Sequence, residues 1–232
     1  MKSLVEDYPA SLVARPTKSL SQAIMDRRLP RHFTGKDAMR DEDLDEILRL
    51  GSLAPSGFNL QPWRFIVVRD PENKRRLQQV AMNQETIAEA SVVIIALGMK
   101  AEWKQLADEI IRESGRNHAG SGTLRQTKET AMEFLTASTL PLNIWVTRQT
   151  MIAFTTMMLV AEALGYDTVP MEGFDPPALR KEFGVPPEAE VVALLAIGEA
   201  KSSKRSLPGR LKMERVVFSE KFGDGWKSGP HR

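Results

Sequence analysis

The run from Pro141 to Leu164 constrains the fold more than any other stretch of this chain. Proline opens it where a helix needs no N–H donor, and Gly165 follows it where a left-handed residue can cap the end. Between them Ile152, Phe154, Met157, Met158, Leu159, Ala161 and Leu164 wrap most of a helical circumference. A helix that is apolar on so many sides must be buried on several of them. The chain must therefore build layers around it, and the methionine-rich patch reads as core or subunit interface. Thr155, Thr156 and Glu162 interrupt the segment from Met151 to Leu164, which is too short and too polar to span a bilayer.

Three apolar runs supply the strands to face that helix: Phe65–Val68, stopped by Asp70-Pro71; Val92–Leu97, closed by Gly98; and Val191–Ile197. Val216–Phe218 is a candidate late strand. Amphipathic patterning and capping signals predict further helices. One starts near Ser19 or Ser21. A second opens on Asp41-Glu42-Asp43, where the helix dipole favours acids, with Leu44, Ile47 and Leu48 as its stripe. Others cover Glu72–Met82, Trp103–Arg112, Thr127–Leu135 and a short stretch from Asp175-Pro176-Pro177 to Gly184. Helices and strands alternate and then lose regularity, so the expected class is α+β: an α/β/α sandwich with a mixed central sheet flanked by helices.

Two clusters point to function. Ala54-Pro55-Ser56-Gly57-Phe58-Asn59-Leu60-Gln61-Pro62-Trp63 joins the second helix to the first strand. It collects turn-forming residues around amides that can read the edge of a flat heterocycle. Arg27-Arg28-Leu29-Pro30-Arg31-His32-Phe33 places three guanidiniums just after a helix. Arg matches phosphate in a bidentate fork, so this is a candidate anion site. Together they suggest a nucleotide-like cofactor.

In this order and spacing, the two segments resemble the nitroreductase family of FMN-dependent NAD(P)H oxidoreductases. Asn83-Gln84 before Ala90-Ser91, and Gly165–Asp175 with Pro170-Met171-Glu172-Gly173-Phe174, extend the likeness over roughly residues 20 to 220. The resemblance implies an intertwined homodimer with FMN at the subunit interface. It implies Arg27 and Arg28 at the phosphate and ribityl end, and Leu29 near the flavin through its backbone alone. It places Arg31 beside the flavin N1/O2 edge and Asn83 at the pyrimidine edge, where a turn cap is the competing role. Pro55, Ser56 and Asn59 would come from the partner subunit. Pro170, Met171, Glu172 and Gly173 would line the ring, the last two offering backbone N–H near N5. Arg210 resembles the C-terminal phosphate ligand, with Lys204 and Arg205 as competing candidates. The implied reaction is ping-pong: hydride passes from NAD(P)H to the flavin and then to an electron-poor acceptor such as a nitroaromatic or quinone. Alternatives are a flavin-binding carrier or sensor, or a dedicated enzyme of the same fold such as a reductive dehalogenase.

Composition narrows the rest. The 232 residues, 42% apolar and 27% charged, suit one domain. The expected division is an arm over 1–18, the FMN-binding domain over 19–220 with a possible lid or specificity segment over 101–140, and a tail over 221–232. A net charge of +2 with interspersed signs argues against a nucleic-acid partner. With no cysteine, thiol catalysis, disulfides and iron–sulfur clusters are excluded. The first twenty residues show no apolar leader core, so a cytoplasmic location with no membrane partner is expected. His32, His118 and His231 are too scattered in sequence to suggest a metal set.

Overall fold

Eight helices and four strands alternate as α1 (Leu20–Asp26), α2 (Asp41–Ser52), β1 (Trp63–Val68), α3 (Pro71–Val80), α4 (Glu85–Glu89), β2 (Val92–Met99), α5 (Trp103–Arg116), α6 (Ser121–Ala137), α7 (Leu142–Ala163), β3 (Asp167–Met171), α8 (Pro176–Phe183) and β4 (Ala189–Gly198) among the described residues. The computed structural model describes residues 17–36, 39–101, 103–116, 121–137, 139–202 and 208–226. The expected arm lies almost wholly outside these, as do residues 227–232 of the expected tail.

The termini of the helices follow from local chemistry. The Ser19 side chain accepts a hydrogen bond from the Gln22 N–H at 3.2 Å and starts α1. Asp70 and Asp175 cap α3 and α8 in the same way, each followed by proline. Gly184 ends α8 in the left-handed region with φ of 62°. Val216–Phe218, a candidate strand, makes only an isolated bridge from Phe218 to Gly225 after a 3-10 turn at Met213–Arg215. Three β-favouring residues without an adjacent strand edge do not make a strand.

The sheet runs β1-β2-β4-β3, and every described pairing is antiparallel rather than mixed. The reason is visible in the register. Val68, the last residue of β1, pairs with Val93 at the start of β2. The intervening pair α3–α4 therefore returns the chain to the end of the sheet it had left, where a single crossover helix would have carried it to the other end.

Alternation along β2 sorts its side chains onto two faces. Val93, Ile95, Leu97 and Met99 pack with Leu77, Ile87 and Leu179 from α3, α4 and α8. Val92, Ile94 and Ala96 pack with Ile47 from α2 and Phe154, Met157 and Ala161 from α7. A bulge opposite Ala96/Leu97 puts Val192 and Ala193 of β4 on the same face. The result is the expected three-layer α/β/α sandwich.

Helix α7 is 22 residues long. On length and composition it could cross a membrane, yet it packs against α1, α2 and all four strands as a core helix. It packs tightly on α2, where Gly51 lies against the buried Met157: a Cβ there would stand 2.1 Å from Met157 Cγ. Gly51→Ala is expected to destabilise the fold by about 1–3 kcal/mol through overpacking, measured by urea denaturation. An unchanged midpoint would show that the two helices part freely.

Candidate functional site

Three segments far apart in sequence form one continuous wall. Phe33 makes an antiparallel bridge with Ala200, just beyond β4. The His32 carbonyl accepts the Lys201 N–H at 3.0 Å, and Thr34 N–H donates to the Glu199 carbonyl at 2.9 Å. From α4, Glu89 Oε2 accepts the Phe33 N–H at 3.0 Å. At the other end of that helix, Gln84 Nε2 donates to the Gly173 carbonyl at 2.9 Å, and the Thr86 hydroxyl meets Met171 Sδ at 3.7 Å. Residues 31–33, 83–89 and 171–173 are thus held together by hydrogen bonds made by the side chains of residues 84–89.

The arginines differ in their engagement. Arg27 caps α1 and is half-buried. Arg28 folds back on that helix end, donating through Nη1 to the carbonyls of Met25 at 2.6 Å and Arg27 at 2.8 Å. Arg31 is exposed. Leu29 is exposed as well, while Pro30 is buried. Asn83 and its neighbour Met82 both adopt positive φ, 53° and 54°, and both are exposed. Such consecutive left-handed residues are costly and concentrate where function requires them.

Pro170, Met171 and Glu172 lie on and just past β3, an edge strand, which is where proline is tolerated. They line a 460 Å³ cavity with Met151, Phe154, Thr155 and Met158 of α7 and Ala193 of β4. Gly173 sits against Met82 and Gln84; a Cβ would stand 3.2 Å from Met82 Sδ. Arg210 is exposed, and its Nη1 donates to the carbonyls of Pro208 and Gly209 within its own segment. Lys204 and Arg205 lie outside the described residues.

The proline–serine–asparagine bend is elsewhere. It precedes Trp63, which pairs with Gly98 near the end of β2, whereas the arginine segment flanks the end of β4, where Ile197 pairs with Val92 at the start of β2. Eight residues of β2, about 24 Å at about 3.4 Å per residue, separate the two ends. One chain therefore does not bring Arg27 and Arg31 together with Pro55, Ser56 and Asn59.

The bend is itself strained and braced. Phe58, Asn59 and Gln61 have φ of 55°, 55° and 46°. Ser56 Oγ accepts the Gln61 N–H at 2.9 Å, and Gln61 Nε2 donates to the Asn59 carbonyl at 3.1 Å. Gln149 of α7 accepts the Gly57 N–H at 2.7 Å. Phe58 and Phe134 of α6 approach to 5.6 Å between ring centroids, so the 101–140 segment covers the bend. Sequence reasoning missed Gln149 and the cavity-lining face of α7. An isolated Gln carries no local signal, and the α7 methionines read equally well as core.

Behind the arginine segment lies a buried carboxyl. Glu162 is 2% exposed, and its Oε1 accepts the Thr168 hydroxyl at 3.2 Å. Burial, with Asp167 adding repulsion, pushes its pKa up to about 7; Thr168, Lys18 and Arg27 pull the other way.

The α/β/α sandwich matches solved structures of nitroreductases. A solved structure from Exiguobacterium sibiricum 255-15, described as a nitroreductase in complex with FMN, matches with a TM-score of 0.79 at 26% identity, covering 89% of this chain and 99% of that one. The chain belongs to the nitroreductase family, whose family model matches residues 24–199. It is 35% identical over 207 residues to the NADH dehydrogenase of Thermus thermophilus, covering 88% of this chain and 97% of that protein. It is 29% identical over 197 residues to MhqN of Bacillus subtilis, whose name describes an NAD(P)H nitroreductase, covering 82% and 92%. The protein is an oxidoreductase of this family.

The folded chain holds the Glu162 proton up to about pH 7, whereas the unfolded chain releases it near 4.5. Its contribution to stability is therefore full below pH 4.5 and lost as the pH rises to 7. Glu162→Gln keeps an acceptor for Thr168 and removes the ionisation. The variant should exceed the parent by about 1 kcal/mol or more at pH 8 and show no gain at pH 4.5, read from urea melts at both values. An equal effect at both pH values would contradict the assignment.

Proposed function

We propose that the protein is an FMN-dependent NAD(P)H oxidoreductase that works as a homodimer, with each flavin held between the arginine wall of one copy and the bend of the other. The observation that carries this reading is the separation of the two half-sites. One offers cations for a phosphate and the other amides for the edge of a flat ring, and a two-fold pairing is the simplest way to join them. Exposed apolar side chains support the pairing: Leu20, Ile24, Met25 and Leu29 in and after α1, Ile144 and Ile152 on α7, and Leu211, Met213, Val216 and Phe222 in the C-terminal segment. Large apolar side chains left exposed on α1, α7 and the C-terminal segment are the kind of surface that a subunit interface covers.

The residues fit the cofactor by the chemistry of their donors. Arg27 and Arg31 present cations that make no hydrogen bond or ion pair through their side chains among the described residues. Arg28, with Nη1 already used, keeps its remaining N–H groups for the phosphate and ribityl end. Leu29 contributes backbone. Asn83, held outward by its positive φ, offers an amide to the pyrimidine edge. Pro170, Met171 and Glu172 wall the cavity, and Glu172 and Gly173 offer backbone N–H groups just past β3. Pro55, Ser56 and Asn59 close the site from the partner copy. Arg210 completes the phosphate grip from its C-terminal segment. When bound, FMN supplies the two-electron chemistry, accepting hydride from NAD(P)H and passing it to an electron-poor acceptor such as a nitroaromatic or quinone in ping-pong alternation. The chain itself binds, orients and tunes: Arg31 sets positive charge where a reduced ring carries its negative charge. The α5–α6 hairpin over the bend is the proposed specificity segment, and a cytoplasmic location suits a nicotinamide-dependent reductase.

Purified protein is expected to be yellow, with absorbance that bleaches on adding NADH or NADPH anaerobically and returns with a quinone. Protein that stays colourless and takes up no added FMN would overturn the reading. Arg27→Ala should weaken FMN binding by about 1.5–3 kcal/mol, the scale of a charged hydrogen bond, in a fluorescence titration; unchanged affinity would remove Arg27 from the site. Arg31→Ala should lower the flavin midpoint potential by about 30 mV, equivalent to about 1.4 kcal/mol for a two-electron couple. A spectroelectrochemical titration without that fall would remove the electrostatic role.

A further inference from the structure

The fold gives His32 a setting that its sequence position does not suggest. His32 Nδ1 lies 3.1 Å from Glu89 Oε1 and 3.7 Å from Glu85 Oε2. One ligand atom from each residue falls within 4.8 Å of the others. Glu85 and Glu89 stand four residues apart on α4 and so share one helix face. We propose that His32, Glu85 and Glu89 form a binding site for a divalent transition-metal cation of the zinc class, on the wall that joins the arginine segment to α4.

The dimensions suit such an ion. Zinc bonds of about 2.0–2.1 Å to imidazole nitrogen and carboxylate oxygen give a tetrahedral edge of about 3.3–3.4 Å between ligand atoms. The two separations measured from His32 bracket that edge. The Glu85 side chain is exposed and unrestrained by packing, so it can turn its carboxylate toward the ion. The donor set, one imidazole and two carboxylates, is borderline in softness and leaves at least one position for water. The two carboxylates also balance the charge of the ion.

The ligands are already oriented. The His32 backbone is pinned through its carbonyl by Lys201 N–H and by the neighbouring Phe33–Ala200 bridge. Glu89 is only 28% exposed, its Oε2 accepts the Phe33 N–H, and both its carboxylate oxygens face His32 Nδ1, at 3.1 and 3.3 Å. Such outer bonds fix the geometry of a ligand before the ion arrives. Without an ion, the same atoms make a His–carboxylate pair, which is the competing account. The two differ in outcome: a pair contributes little at an exposed site, whereas a bridging ion would clamp residues 31–33 to α4 and stabilise the folded chain by binding linkage.

The test uses FMN-loaded, chelator-stripped full-length protein titrated calorimetrically with zinc chloride. His32→Ala and Glu85→Gln serve as variants, because both side chains are exposed and neither caps a buried backbone group. The expected result is one saturable site per chain that weakens about tenfold or more in each variant, with a zinc-dependent rise in the melting temperature that His32→Ala abolishes. Flavin absorbance unchanged in both variants would show that the cofactor site is intact. Zinc titrations that are identical for parent and variants, or heats that do not saturate up to millimolar zinc, would overturn the proposal and leave the ion pair as the explanation. The same zinc titrations run on FMN-free protein must give the same result, so failure of the metal site and failure of the flavin assignment are distinguishable.

Discussion

Gly98 faces Trp63 and Val92 faces Ile197 across β2, and the destination of each wall and bend residue follows from that register. The strand is buried on both faces along all eight residues. A one-residue slip would exchange the side chains that interlock with the two helix layers and leave both layers mispacked, so the register is specified by packing. It sends the bend to one end of the sheet and the arginine segment to the other. No loop rearrangement within one chain can bring them together without dismantling the core. A site that uses both must be completed by a second copy, and this requirement, rather than the chemistry of any one residue, shapes the proposed enzyme.

The same frame explains where strain is kept. Left-handed backbone occurs at Phe58, Asn59 and Gln61 in the bend and at Met82 and Asn83 on the wall. Each place is braced from outside its own segment: the bend by Gln149 of α7, and the wall by Gln84 reaching to Gly173. These contacts over-determine conformations that would otherwise relax, as is usual at ligand-binding sites. The α5–α6 hairpin adds an apolar cover over the bend through Phe134, Leu135 and Met132, so changes in that hairpin bear directly on what the bend can admit.

Much of this was legible in the sequence because it is local. The capping serine and aspartates, the prolines at helix starts, the glycine after α8 and the apolar runs of β2 and β4 each announce themselves within a few residues. The central position of α7 follows from its all-round apolarity. What was not legible is what depends on pairing at a distance. The antiparallel sense of the sheet rests on α3–α4 acting as a pair rather than as one crossover, and α4 is too short to show a period. β3 carries Thr, Pro and an acid, and becomes a strand only because β4 offers an edge. The candidate site divides likewise. The arginine segment and the bend were recognisable as motifs, but their separation, the bracing by Gln149 and the meeting of His32 with Glu85 and Glu89 are products of topology.

The central claim is that two copies of this chain share each flavin. A crystal structure of the protein grown with FMN tests it most directly. The account predicts the phosphate on Arg27 of one copy, with the isoalloxazine ring between Glu172-Gly173 of that copy and the Pro55–Asn59 bend of its partner. A flavin bound entirely within one copy, or a pairing of copies that leaves bend and arginines apart, would contradict it.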